Sequence, residues 1–204
     1  MRLYAQNETP ALDFNSVGIS TIESAKGHTG IAILLAIFLF LLCIIIAWAA
    51  TRRDKKRNLT FQLNQLPPAA KLIPTIFLVT FLFVHIIALA DAMVQSRVIA
   101  KNVHEYFHFM KYSRLLGVSH SHLFGHTVMY SLVALPFAFT TWREFIKALF
   151  IAGAMVSAVF DVGSWWLIKY FGEEFEIISA VSGITFTISF LVMAAKTLRD
   201  LWKT

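Results

Sequence analysis

The sequence is poor in charge and in cysteine, and both shortages narrow the class of protein. Only 15% of its 204 residues are charged, whereas soluble domains carry about 25%. A soluble globular domain, a disordered tail and a nucleic-acid binder are therefore excluded, although the formal net charge is +6. The single cysteine, Cys43, lies in an apolar run and cannot form an internal disulfide, which excludes a disulfide scaffold.

Long hydrophobic runs are what the sequence does contain. Hydrophobic residues make up 57% of the chain and gather in blocks of about twenty residues, the length that crosses a bilayer. The first block is followed by a basic cluster at 52–57, which is typical of a retained membrane helix rather than a cleaved signal. The predicted spans are 30–50, 72–95, 120–139, 141–170 and 174–196. We therefore expect an all-α integral membrane protein, a bundle of about five transmembrane helices in a single membrane domain, 1–204.

The distribution of lysine and arginine predicts the orientation of this bundle. With the N-terminus outside, the inner segments hold 11 basic residues and the outer segments hold 7. Because basic residues favour the cytoplasmic side, we expect the N-terminus outside, the C-terminus in the cytoplasm, and a multi-pass protein of the inner (cytoplasmic) membrane.

Two segments outside the spans carry further expectations. The polar leader 1–29 is expected to lie on the outer surface. Segment 96–119 has apolar residues at near-helical spacing and interspersed basic residues, so we expect an amphipathic helix on the outer face, or an upward extension of the second span. Thr141 and Glu144 match the capping-box pattern, which predicts the start of the fourth span.

Histidines are concentrated in one part of the sequence. Five of the seven lie between His104 and His126, and polar groups inside a bilayer usually have a functional reason. His85 is predicted roughly 15 Å below the outer end of the second span, and His126 roughly 9 Å below the outer end of the third. Since boundaries read from sequence vary by about 2–4 residues, the two imidazoles are expected to share a level on neighbouring helices.

Two imidazoles at one level between facing helices suit a b-type haem. His126 is the first choice as partner of His85, and His122, one turn away on the same face, is the substitute. Asp161, predicted near the same depth in the fourth span, is expected either to accept a hydrogen bond from a ligating imidazole or simply to bond to a neighbouring helix. The residues expected to line the haem slot are Phe81, Phe83, Ile86, Leu123, Phe124 and Tyr130.

A second histidine pair supports a different hypothesis. His104 and His108 are four residues apart and, with Glu105, match the H-E-x-x-H pattern of zinc peptidases. A catalytic site of this kind needs a third ligand, which one of the histidines at 120–126 would supply. The alternative function is therefore a membrane metalloenzyme with a Zn, Fe or Cu ion. A third hypothesis is a cofactor-free accessory or assembly subunit, whose histidines only pair with neighbouring helices.

The placement of histidines in helices across residues 72–170 resembles small multi-helix b-type cytochrome subunits, which pass electrons between quinones and outer-side redox partners. The resemblance implies a haem b-binding electron-transfer subunit of a bacterial inner-membrane redox complex, with the haem near the outer leaflet. Its partners would be the lipid bilayer, other membrane or periplasmic redox subunits, and quinone. The chain is too short for a separate catalytic domain, so we expect one subunit of an oxidoreductase rather than a complete enzyme.

Overall fold

A computed structural model of the protein describes residues 25–52 and 61–203. In these two ranges the chain forms helices and connecting turns, with no strand. The prediction of an all-α integral membrane bundle is confirmed. Most of the predicted leader, 1–24, and the basic residues 53–57 lie outside the described ranges.

The helices have the following bounds. They are α1 (Ala25–Thr51), α2 (Pro68–Met93), α3 (Val103–His108), α4 (Tyr112–Ala138), α5 (Glu144–Phe171) and α6 (Glu176–Leu201). A π-helical turn, Val94–Ile99, prolongs α2, and 3-10 turns at Leu63–Gln65 and Glu173–Phe175 precede α2 and α6. The outer segment 96–119 therefore contains the end of this turn, the short α3 and the start of α4, rather than one continuous amphipathic helix.

The long helices that follow one another in the chain run in opposite directions between the two ends of the bundle. Near one end, Trp166 Nε1 on α5 donates a hydrogen bond to Ser119 Oγ on α4 at 2.9 Å. Near the other end, the rings of Phe137 on α4 and Phe150 on α5 lie 6.5 Å apart. We call the end that holds the starts of α1, α4 and α6 the outer end, following the predicted orientation.

Within the described ranges five helices thus run the length of the bundle, but they are not equally apolar. Four helical segments in 25–52 and 61–203 are long and apolar enough to cross a membrane: His28–Thr51, Pro68–Ile99, Glu144–Phe171 and Glu173–Leu201. Helix α4, which contains the predicted span 120–139, is not among them. Its first fifteen residues include three histidines, three serines and two glycines, so composition rather than length sets it apart.

Two apolar clusters form the core, and a band of polar residues separates them. The outer cluster comprises Ala32, Phe107, Met110, Leu115, Val162, Trp165, Ile168, Phe175 and Ile178. The inner cluster comprises Leu78, Phe81, Tyr130, Val133, Ala134, Phe137, Ala154, Phe186, Phe190 and Met193. Between the two clusters along α4, α5 and α6 lies what we call the polar layer: His122, His126, Ser157, Asp161, Ser179 and Ser182.

The loop before α5 differs from the sequence prediction. Helix α5 begins at Glu144, and its N-cap residue Arg143 makes no side-chain capping bond. The backbone N–H and the hydroxyl of Thr141 instead donate hydrogen bonds to the Asp200 carboxylate, at 2.8 and 3.0 Å. The capping-box prediction is wrong because Arg143 takes the N-cap position, while the Thr141 N–H donates to Asp200 and the Thr141 hydroxyl oxygen accepts from Lys196.

Candidate functional site

His85 on α2 and His126 on α4 lie against the same phenylalanine ring on α6. The ring centroid of Phe186 is 5.4 Å from that of His85 and 5.6 Å from that of His126. Because one ring contacts both imidazoles, they share a level of the bundle.

That level lies further from the outer ends of the helices than the sequence indicated. His126 lies fourteen residues after Tyr112, where α4 begins, and His85 lies fourteen residues before Ile99, where the extended α2 ends. Both separations correspond to roughly 21 Å of helix. The imidazoles therefore lie near the middle of their helices, because α4 begins eight residues before the predicted start at His120.

Aromatic rings from three helices surround the two imidazoles. The ring of His85 lies 5.8 Å from Phe190 and 6.4 Å from Phe81. The ring of His126 lies 5.9 Å from Tyr130. Tyr130 and Phe190 are 1% and 0% exposed, so this side of the site is closed to solvent and lipid.

Part of the predicted lining is wrong. Phe83, Ile86 and Phe124 are 63%, 54% and 67% exposed, because they lie on the outward faces of α2 and α4. Leu123 packs against the outer cluster. Phe81 and Tyr130 do belong to the lining, and α6 supplies Phe186 and Phe190 in place of the others.

His85 is tied to α6 by one hydrogen bond. Its Nε2 lies 3.1 Å from the Thr187 hydroxyl oxygen. The Thr187 hydroxyl donates a hydrogen bond to the Gly183 carbonyl at 2.7 Å. Its oxygen is therefore the acceptor of the hydrogen bond from His85 Nε2. Ligation of a metal through Nε2 requires that this hydrogen bond be given up.

His126 has an enclosed nitrogen without a partner. Its Nδ1 is buried and makes no hydrogen bond to any described residue. The Ser182 hydroxyl, in the polar layer on α6, is also buried and unpaired within the described ranges. Since buried polar groups are nearly always hydrogen-bonded, each of these two atoms leaves a position for a further group or a water.

His122 and Asp161 belong to the same layer but do not contact each other directly. The ring of His122 lies 4.9 Å from Trp165 and 5.6 Å from His126. Asp161 is buried and accepts a hydrogen bond from Ser179 Oγ at 2.6 Å, and the Trp165 side chain interacts with the same carboxylate.

Of the two roles expected for Asp161, the structure shows the bond to a neighbouring helix, because its carboxylate accepts from Ser179 on α6. Trp165 contacts both Asp161 and His122. Asp161 therefore links α5 to α6 beside the ring against which His122 packs.

The second predicted pair, His104 and His108, lies on α3 at the outer end. The two rings are stacked, with centroids 5.2 Å apart and planes inclined by 29°. Within 25–52 and 61–203 no group of three or more His, Cys, Asp or Glu side chains is placed to hold a metal ion. The third ligand expected from the histidines at 120–126 is thus not brought to this pair.

Sequence reasoning missed the contribution of α6. Phe186, Phe190, Thr187 and Ser182 carry no motif, and their helix has the composition of an ordinary membrane span. The available signal was the recurrence of hydroxyl residues on α6 at helical spacing, from Ser179 to Ser189. Such residues commonly bond to neighbouring helices.

Comparison with known proteins gives one match. A family model described as a transmembrane helical domain matches residues 100–204. This range covers α3 to α6, including His104, His108, His122, His126 and Asp161. Searches of curated proteins and of solved structures return no match.

Proposed function

The chain belongs to the Aq_1264_TM family of transmembrane helical domains, and we propose that its bundle binds haem b through His85 and His126. In this proposal the protein is an electron-transfer subunit of a bacterial inner-membrane redox complex. The observation that carries the proposal is the contact of both imidazoles with the single ring of Phe186.

The residues present fit the chemistry of this cofactor. Haem iron of b type accepts imidazole nitrogens, and its porphyrin needs an apolar surrounding. Here two imidazoles come from antiparallel helices at one level, and Phe81, Tyr130 and Phe190 surround them. The unpaired Nδ1 of His126 adds support, because an enclosed imidazole without a partner is costly unless a bound group justifies it.

The chain's own residues would hold the cofactor and keep water away from it. Bound haem b supplies one-electron transfer. To bind the iron through Nε2, His85 would give up its hydrogen bond to Thr187. The buried Nδ1 of His126 has no hydrogen bond to a described residue that would have to be given up. Asp161 and Ser179 hold α5 against α6, which keeps Trp165 and His122 next to His126.

Electron transfer also requires a donor and an acceptor beyond this chain. We propose that a quinol in the bilayer or a membrane partner delivers electrons, and that a partner on the outer side accepts them, or the reverse. Helix α2 has an apolar face free for such a neighbour or for lipid, because only 11% of its most apolar stretch is buried in the bundle.

A spectrum of the purified protein tests the proposal. We expect a b-type absorbance in the reduced-minus-oxidised difference spectrum, with one iron per haem. His85→Ala and His126→Ala should each abolish it. His120→Ala is the matched control, since His120 is an exposed histidine on the same helix as His126, and it should leave the spectrum unchanged.

The other outcomes select the rival functions. Colourless protein with stoichiometric zinc, iron or copper that is lost in His122→Ala and His126→Ala would replace haem by a bare metal, as in a metalloenzyme. Colourless, metal-free and folded protein would overturn both the haem and the bare-metal hypotheses. The remaining function would be that of an accessory subunit, in which the histidines only connect helices.

A further inference from the structure

The short helix α3 is held in place far more firmly than a six-residue helix can hold itself, since isolated helices of this length are unstable in water. Its first turn is capped by Asn102, whose side-chain oxygen accepts a hydrogen bond from the Glu105 N–H at 2.6 Å. Glu176 Oε1 on α6 accepts the His104 N–H at 3.1 Å. Glu176 also forms a 3.2 Å salt bridge with Arg97.

The other end of α3 is held by a lysine from α5. Lys169 Nζ donates to the carbonyl oxygens of His108 and Met110 at 2.8 Å, and to that of Phe107 at 3.4 Å. The ring of Phe107 is buried and stacks on Trp165 with centroids 5.5 Å apart. Helix α3 is therefore fixed to both α5 and α6.

Helix α3, held in this way, carries two stacked imidazoles, those of His104 and His108. His104 is half-buried and His108 is exposed, and their ring centroids are 5.2 Å apart. Metal–nitrogen distances are about 2.0–2.1 Å, so two imidazoles at a tetrahedral angle on one ion have centroids about 5 Å apart. The two rings already have the separation that a shared metal ion requires.

We propose that His104 and His108 form a surface site for a divalent transition-metal ion, with Cu²⁺ bound most tightly and Zn²⁺ and Ni²⁺ less so. Histidines at i and i+4 on one helical face are a known metal-chelating arrangement, and Cu²⁺ heads the affinity order of these ions. The site is separate from the haem proposal, and neither depends on the other.

The surroundings of the pair define what kind of site it is. In the described part of the chain no third His, Cys, Asp or Glu joins the pair, so these residues supply two ligands and leave the remaining coordination positions open. Two protein ligands and open positions at an exposed helix suit an exchangeable ion that is taken up and released, rather than a closed structural site, which uses four protein ligands.

Copper titration of the full chain, purified in detergent without a polyhistidine tag, tests this site. We expect electron paramagnetic resonance to show two imidazole nitrogens on one Cu²⁺. His104→Ala and His108→Ala should each lower the affinity at least about tenfold, equivalent to about 1.4 kcal/mol, and leave one imidazole nitrogen in the signal.

Controls separate this site from the other histidines and from misfolding. His120→Ala and His122→Ala should bind copper like the unaltered protein, and the variants at exposed positions, His108→Ala and His120→Ala, should keep the same unfolding temperature. Unchanged affinity in His104→Ala and His108→Ala, or a single imidazole nitrogen in the unaltered protein, would overturn the proposal. Loss of binding in His122→Ala with retention in His108→Ala would move the copper site into the bundle, and so overturn it as well.

Discussion

Two histidine pairs with identical spacing acquire different geometries in this protein. On α3 the rings of His104 and His108 are stacked, with centroids 5.2 Å apart and planes inclined by 29°. On α4 the rings of His122 and His126 are 5.6 Å apart and nearly perpendicular, at 89°. The i, i+4 spacing places each pair on one helical face, and the neighbouring helices then decide how the rings lie.

The neighbours of the two pairs explain this difference. The α4 pair packs against rings from other helices, with Trp165 beside His122 and Phe186 beside His126. The α3 pair makes its inter-helix contacts through the backbone, which leaves the rings exposed to each other and to the outside. The rings of the α4 pair are therefore oriented by side chains of other helices, whereas those of the α3 pair stack on each other at the outer end.

The turn between α5 and α6 positions residues that hold α3, and Gly172→Ala should destabilise this turn. Gly172 has φ of 134° and ψ of 177°, a conformation that is essentially restricted to glycine, and forcing another residue into it costs roughly 1–3 kcal/mol. We expect a lower unfolding temperature and weaker copper binding, because Lys169 and Glu176 flank this corner.

Gly163→Ala is the control for that substitution. Gly163 lies in α5 with open space around an added methyl group, and alanine in a helix interior stabilises by roughly 0.5–1 kcal/mol relative to glycine. Equal unfolding temperatures for the two variants would show that the backbone conformation at Gly172 carries no cost.

Asp161 supports the α4 pair, and Asp161→Ala should weaken that region. Its removal leaves the Ser179 hydroxyl without its partner on α5, and the loss is expected to be about 1–2 kcal/mol. Asp161→Asn keeps an acceptor oxygen and should recover most of this loss in thermal unfolding. Copper affinity at α3 should fall less in both variants than in Lys169→Met, because Asp161 reaches α3 only through Trp165, which stacks on Phe107, whereas Lys169 bonds to α3 directly. An equal fall would contradict this ranking.

Lys169→Met should loosen α3 without removing a metal ligand. Methionine retains an unbranched side chain but cannot donate hydrogen bonds to the three carbonyl oxygens that accept them from Lys169 Nζ. We expect faster hydrogen exchange in 103–110 and a several-fold fall in copper affinity. The haem absorbance should stay constant, and Lys111→Met, at an exposed lysine, should change neither measurement.

Thr187→Val should have the smallest effect and bears on the role of His85. It removes the acceptor of His85 Nε2, and hydrogen bonds between membrane helices average about 0.6 kcal/mol. If His85 ligates iron, the absorbance survives this change. Thr185→Val is the matched control, since the Thr185 hydroxyl bonds to Val181 within its own helix; loss of absorbance in Thr187→Val alone would contradict the proposed exchange of partners.

Much of the bundle is predictable from the sequence, because the cost of exposing backbone polar groups in lipid leaves few alternatives to a helix. Apolar runs of sufficient length therefore indicated the helices α1, α2, α5 and α6 directly. Helix ends were less predictable: the pattern at Thr141 indicated a cap, but Asp200, 59 residues further along, takes both of its donors. Such a partner has no local signature.

The candidate sites divide in the same way. Spacing alone placed His122 with His126 and His104 with His108, since residues four apart on a helix are neighbours. Counting residues from the predicted span ends also put His85 and His126 at one level, although closer to the helix ends than the structure shows. It gave no indication of Phe186, which contacts both rings, or of Lys169 and Glu176, which hold α3 in place.

The amino-acid sequence by itself determined that this is a helical membrane protein with histidines clustered on two of its helices, because hydropathy and helical periodicity are local properties of the chain. Only the tertiary structure decided which faces meet. It placed Phe186 against His85 and His126, turned Asp161 towards Ser179, and anchored α3 with its rings outward. These contacts join residues distant in sequence, and packing between helices rather than local preference selects them.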